Sequence, residues 1–197
     1  MPVLGRPRAF DRDAALQAAM EVFWRKGFLA ASMNDLCEAM GIRSPSLYAA
    51  FGSKEDLYAE AVARYNDGAN VLIWNHIDEG STVRAGMQKV LLAAASIVAD
   101  GGEMPSGCMV TLATGGECTG EGPDVARMGR AGSLAKLRAG IKRAVASGEL
   151  PRSTQVDRLA RFYQGVVQGM AIQGRDGASQ AELEGVAKVA MAAWPAG

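Results

Sequence analysis

What the sequence has little of narrows the possibilities first. Three cysteines, Cys37, Cys108 and Cys118, form no C-x-x-C pair and leave an odd one over, so neither a disulfide framework nor a cysteine zinc site is expected. His76 is the single histidine, which leaves no ligand set for a metal, and no cofactor is expected. Neither sign of charge is in excess, with 21 Lys plus Arg against 21 Asp plus Glu. The first 65 residues balance separately, 8 against 8, so a nucleic-acid partner has to be argued from where charges sit and not from their sum. Long apolar runs are also missing: Val90 to Ala99 is ten residues and includes Ser96, whereas a membrane span needs about 20. No membrane partner is expected. Phe10 is followed at once by Asp11, Arg12 and Asp13, where a secretory signal would continue an apolar stretch of about 7 to 15 residues. A cytoplasmic protein is expected.

What is present is an ordinary globular composition: 197 residues, 49% hydrophobic and 21% charged. The periodicity is helical throughout, with no alternating stretch bounded by hairpin turns, and the expected fold class is all-α. The spacing predicts helices over 12–26, 33–40, 45–51, 54–76, 82–99, 108–115, 124–147, 155–173 and 180–193. Leu16, Ala19, Met20 and Phe23 make the apolar stripe of the first, with Asp11 as N-cap and Gly27 as its left-handed stop. Ser32 caps the second, with Asp35 three residues on and Gly41 closing it. Ser44 followed by Pro45 fits the cap and first residue of the third, and Gly52 its exit. Ser53 caps the fourth, which runs through Leu57, Tyr58, Ala61, Val62 and Tyr65. Glycine-rich loops are expected around Gly101–Gly102 and Gly115–Gly116.

Two short capped helices joined by a turn of about three residues have helix-turn-helix spacing. At about 100° per residue, Leu47, Ala50 and Phe51 cluster on one side of the second of them and face the core. Pro45 and Ala49 then point away, with Ser46 and Tyr48 flanking them and Arg43 just before. That is the outline of a recognition helix for the major groove of double-stranded DNA. Arg43 can fork onto guanine O6 and N7, Pro45 and Ala49 can pack on thymine methyls, and Ser46 can hydrogen-bond to several acceptors. Tyr48 and Lys54 suit phosphates, as do the amides at the starts of the Ser32 and Ser53 helices, and Ser44, next to Arg43, is a further candidate for DNA contact. Arg6 and Arg8, within Gly5-Arg6-Pro7-Arg8, form a basic arm able to follow the backbone or enter a minor groove.

Phe10 to Gly27, Ser32 to Gly41, and Ser44-Pro45-Ser46-Leu47-Tyr48 through Phe51-Gly52-Ser53-Lys54-Glu55 resemble the DNA-binding domain of the TetR family of transcriptional regulators. Ala49 is smaller than the residue many members carry there. The resemblance implies a homodimeric repressor with a DNA-binding domain over 1–53 and a helical effector-binding and dimerisation domain over 54–197. The stretch Ala160 to Gly177 is similar to the dimerising helix of many members.

On that reading, operator DNA, a second copy of the chain and a small effector are the expected partners. The expected dimer surface comprises Phe162, Gly165, Val166, Gly169, Met170, Leu183, Val186 and Val189. A largely apolar effector is expected among Trp74, Met109, Leu112, Phe162, Tyr163 and Val166, because such pockets are mostly apolar; ordinary core is the plainer use of the same residues. Cys108 and Cys118 supply the alternative of a thiol-based redox sensor. The remoter alternatives are a plain helical packing unit and a small helical enzyme. Neither a nucleophile paired with a base nor a phosphate loop is visible, and no enzyme is expected.

Overall fold

The computed structural model describes residues 10–99, 104–113 and 121–195, without the side chains of 69–70 and 121–123. Ten α-helices, and no strand, occur among the described residues. They are α1 (Arg12–Ala30), α2 (Met33–Met40), α3 (Ser44–Phe51), α4 (Lys54–Tyr65), α5 (Val71–Trp74), α6 (Val83–Val98), α7 (Met109–Leu112), α8 (Glu121–Ala146), α9 (Val156–Arg175) and α10 (Gln180–Ala192).

The first three helices and the start of α4 make the N-terminal unit. Asp11 caps α1 by accepting from the Asp13 and Ala14 amides at 3.0 and 3.1 Å. Gly27 breaks α1, as its position suggests, with φ 77° and ψ 167°. The regular run stops there, and a short further helical turn carries the element on to Ala30. Under α1 lie Leu16, Ala19, Met20 and Phe23, against Leu36 of α2, Leu47 and Phe51 of α3, and Leu57, Tyr58 and Ala61 of α4. Aromatic rings knit this core: Phe23 meets Tyr58 edge-on at 5.0 Å, and Phe28 meets Tyr58 at the same separation. Such pairs contribute about 0.5 to 1.5 kcal/mol beyond their burial, which helps a small unit hold its shape.

The body is built on α6, α8, α9 and α10, with α4 packed on both α1 and α8. Its interior is Met87, Val90, Leu91 and Val98 of α6, Leu137 and Ile141 of α8, Tyr163 and Met170 of α9, and Leu183 of α10, all fully buried. The expected single helix over 54–76 is instead α4, a π-helical stretch Asn66–Asn70, α5 and a 3-10 turn Asn75–Asp78. Asn66-Asp67-Gly68 are weak helix formers, and Asn66 is fitted against α8 where Gly129 has no side chain: a Cβ there would stand 2.9 Å from Asn66 Oδ1. A π-turn of this kind is a place where a helix can change direction.

Close backbone approach at the far end of α9 is met by Gly174, where a Cβ would lie 2.0 Å from the Val98 carbonyl oxygen. Glycine in a helix costs about 1 kcal/mol relative to alanine; here the clash removes any gain from alanine.

Candidate nucleic-acid interface

Ser32 Oγ accepts from the Asp35 amide at 3.1 Å, and Asp35 returns a carboxylate oxygen to the Ser32 amide at 2.9 Å. This reciprocal box starts α2. Gly41 ends it in the left-handed region at φ 64°, ψ 27°, a conformation that costs glycine little. The chain then turns into α3, which begins one residue earlier than the serine cap implies. Arg43 is the N-cap, with Ser44 and Pro45 in the first turn and no side-chain cap bond. Ser44 is half-buried and pairs its hydroxyl with the Cys37 thiol at 3.5 Å. The Ser44 hydroxyl therefore joins α2 to α3.

The helical-wheel argument holds for the rest of α3. Leu47 and Phe51 are buried, while Arg43, Pro45, Ser46, Tyr48 and Ala49 are all exposed, Tyr48 by 51%. These five make one continuous outward face, and the Arg43 guanidinium has no ion-pair or hydrogen-bond partner among the described residues. An exposed, unengaged guanidinium beside a small flat surface can donate a fork of hydrogen bonds to a planar acceptor pair.

The flanking charges are more committed. Lys54 stands at the first position of α4, with its ammonium 4.5 Å from the centre of the Phe28 ring. A contact of this kind is worth about 0.5 to 1 kcal/mol when exposed, weak enough for a phosphate to compete. At the same helix end, Ser53 accepts from the Asp56 amide at 3.0 Å and donates to the Asp56 carboxylate at 2.7 Å. Glu55 and Asp56 place negative charge there, which opposes a phosphate at the Ser53 amide. The Ser32 end is better disposed, because Lys26 lies 2.7 Å from Asp35 and offsets its charge. Arg6 and Arg8 lie outside the described residues.

Lys26 first, and the Ser32 amide and hydroxyl after it, hold the Asp35 carboxyl at about 2, below its ordinary 3.8. A carboxyl depressed on folding stabilises above its unfolded value and loses that contribution as pH falls through the folded one. The α2 cap is therefore fully in place above about pH 4 and should weaken as pH falls toward 2. Carbon-detected titration of Asp35 is expected to show the low midpoint, and Lys26→Ala to move it upward; a midpoint unchanged by Lys26→Ala would contradict the pairing.

One residue that sequence spacing did not single out sets how α3 sits. Arg12 donates to the Ala50 carbonyl at 3.2 Å and to Glu60 at 2.8 Å, and its guanidinium lies 4.3 Å over the Phe51 ring. It ties the start of α1 to the end of α3 and to α4. The partners are 38 and 48 residues away, beyond any local pattern.

The expected effector residues differ in exposure. Trp74 and Met109 are buried and Leu112 and Val166 half-buried. Tyr163 is fully buried, its hydroxyl donating to the Ala190 carbonyl at 3.3 Å and its ring 5.7 Å from Trp194. It is core between α9 and α10, which corrects its place in a pocket. Phe162 is 43% exposed and lines a shallow 400 Å³ groove with Arg158, Leu159 and Pro195. The Phe162 ring meets the Tyr163 ring edge-on at 5.1 Å, so Phe162 covers Tyr163 from the outside. Larger cavities, of 660 Å³ between α1 and α4 and 800 Å³ between α6 and α10, are lined by other residues.

The sequence also gave no prominence to Tyr65. Its hydroxyl is buried beside Cys108 and the Met109 backbone, with no hydrogen bond of ordinary geometry among the described residues. Burial first, and the neighbouring Cys108 second, raise its pKa well above the ordinary value, so it stays a neutral donor. Cys108 is itself buried, and Cys118 lies outside the described residues.

Of the expected dimer residues, Met170 and Leu183 are fully buried within the protomer and drop out, because they face the α6 side of the bundle. Phe162, Gly165 and Val189 are exposed, and Val166, Gly169 and Val186 are half-buried. Ile172, which the sequence reading omitted, continues the same outward stripe and is 50% exposed. A Cβ added at Gly165 or Gly169 would meet nothing within 4 Å.

Comparison with known proteins agrees with this architecture. Residues 15–61 match the model for bacterial regulatory proteins of the tetR family. Along 97% of its length the chain is 34% identical to the HTH-type transcriptional repressor ComR of Escherichia coli strain K12, covering 92% of that protein. It is 36% identical to the HTH-type transcriptional repressor BdcR of the same strain, over 55% of this chain and 54% of BdcR. Among solved structures, a cysteine variant of the TetR family regulator CifR bound to 26-base-pair double-stranded operator DNA superposes with a TM-score of 0.88, at 40% identity, over 96% of this chain and 100% of that one. A full-length relative at this identity, the matching helix-turn-helix and the shared fold together place the chain in the TetR family of bacterial DNA-binding transcriptional regulators.

Proposed function

We propose that the protein is a homodimeric repressor that reads an operator through the outward face of α3 and is released from it by a small, largely apolar ligand. The observation that carries the reading is that face: Arg43 unengaged, Pro45, Ser46, Tyr48 and Ala49 exposed beside it, and Leu47 and Phe51 locking the helix from beneath. Repression is supported by ComR and BdcR, both named as repressors. Dimerisation is supported by the apolar stripe of Phe162, Gly165, Gly169, Ile172 and Val189 on α9 and α10, which the described residues leave exposed or only half-covered. Two readers related by a two-fold axis would address half-sites about 34 to 36 Å apart, or a multiple of it. The 26-base-pair duplex on CifR is long enough for that, at about 10.5 base pairs per turn.

For the effector, Trp74, Met109 and Leu112 remain the apolar candidates, and the neutral Tyr65 hydroxyl adds a donor for one acceptor atom on the ligand. Tyr65 is the last residue of α4 before the π-turn, so a ligand drawing on it would bias the direction α4 takes into the reading unit. A coupling of about 1 to 3 kcal/mol would weaken operator binding roughly 5- to 150-fold, and the operator would weaken ligand binding by the same factor. The test is a thermal-shift ligand screen followed by operator titration at saturating hit. Ligands that stabilise the fold should lower operator affinity by that factor. Stabilising ligands that all leave it unchanged, or release by oxidants alone, would contradict the reading and point to Cys108 or Cys118.

A further inference from the structure

At the break in α1, the carbonyls of Trp24 and Arg25 belong to the last turn before Gly27, where helix carbonyls lack partners in the ladder and the dipole favours a cation. The cation supplied is Arg175, the last residue of α9, 150 positions away. Its Nη1 donates to the Trp24 carbonyl at 3.1 Å and to the Ser106 carbonyl at 3.4 Å, and its Nη2 donates to the Arg25 carbonyl. The guanidinium thus closes the end of a helix in the reading unit from the end of a helix in the body.

Its own footing is rigid. Gly174 brings the α9 backbone against the Val98 carbonyl at the end of α6, and that carbonyl also accepts from the Gly107 amide at 2.9 Å. A Cβ at Gly107 would stand 3.2 Å from the Arg175 Cβ. Four segments therefore meet around the end of α9: the break in α1, the end of α6, α9 itself and the residues leading into α7.

The consequence is mechanical. The reading unit is joined to the body through α4, which passes into a π-turn at Asn66–Asn70, and through the packing of α1 on α7. The Arg175 hydrogen bonds to Trp24, Arg25 and Ser106 make this second attachment directional and restrict swinging about α4. Since α9 carries most of the uncovered apolar stripe, the second attachment refers the reader to the dimer axis itself. We propose that Arg175 is a positioning residue for operator binding, holding α1 at a fixed angle to α9 and thereby fixing the separation of the two readers. The inference rests on the DNA-binding dimer described above.

The test has two arms on the full chain. In the first, without DNA, amide hydrogen exchange is compared between wild type and Arg175→Ala. Residues 24–31 and 104–109 should exchange faster in the variant, with α2 and α3 unchanged. In the second, affinity is measured for duplexes of the footprinted operator with the half-site separation shortened by one base pair, native, or lengthened by one. Wild type should favour the native spacing by roughly 5- to 150-fold, the range of such couplings, and Arg175→Ala should bind all three nearly alike. Arg175→Lys keeps the charge but cannot fork across three carbonyls; it should fall between the two, and it is read in the same way if the alanine variant does not fold. Unchanged exchange in the variant would overturn the clamp. Faster exchange with the spacing preference intact would make Arg175 a packing residue only and overturn the positioning role. A wild type that shows the exchange pattern but prefers no operator over competitor DNA would instead overturn the DNA reading, and the positioning role with it.

Discussion

Gly169→Trp should convert the protein to a monomer in sedimentation at micromolar concentration and lower operator affinity by about 10²- to 10⁴-fold, the loss expected when two linked binding events become one. Gly169 lies on the outward stripe of α9, and a Cβ there meets no atom within 4 Å. The protomer therefore has room for a side chain to leave the helix there, and tryptophan is a better helix former than glycine. Helical content and thermal midpoint should be kept. A second α9 packed on that stripe would have no room for the ring. A dimer that survived the substitution would place the interface elsewhere.

Arg43→Ala should weaken operator binding by about 1 to 3 kcal/mol for each affected half-site and relax the base preference at one position. The fold should be unaffected, because the side chain is exposed and has no partner to lose. Lys54→Ala should weaken operator and competitor DNA alike, since a phosphate contact carries no sequence information. Its effect should also be the smaller, as the ammonium first has to leave the Phe28 ring. Competition binding against operators substituted one base at a time separates the two, and equal losses on every duplex for Arg43→Ala would remove it from base readout.

The parts of the structure that the sequence made legible are those fixed within a few residues. The capping boxes at Ser32 and Ser53, the left-handed Gly41 and the buried Leu47 and Phe51 all express local spacing, and they are found where that spacing puts them. Ser44 shows the limit of the same reasoning. Its neighbour Pro45 signals a helix start correctly, but the first turn begins at Ser44, and the hydroxyl turns to Cys37 on the preceding helix. Tyr163, Met170 and Leu183 show another limit. Apolar residues on an amphipathic helix announce that a face is covered without saying by what, and here the packing of α6, α9 and α10 on one another covers them from inside the protomer. Arg12 and Arg175 were illegible for a different reason. Each is one arginine among exposed charges in the sequence, and each acquires its role from carbonyls that only the folded chain brings within reach.

The central claim is that the outward face of α3, repeated by a two-fold axis, reads a specific DNA segment. The measurement that tests it most directly is titration of the purified protein onto the DNA beside its own gene, with and without competitor DNA, across a range of salt. The account predicts protection of two half-sites about 34 to 36 Å apart or a multiple of it, retained against competitor. If Arg6, Arg8, Arg43 and Lys54 of both protomers contribute, the logarithm of the affinity should fall with the logarithm of salt at a slope of roughly −4 to −7. Binding that competitor abolishes, or a slope near zero, would contradict it.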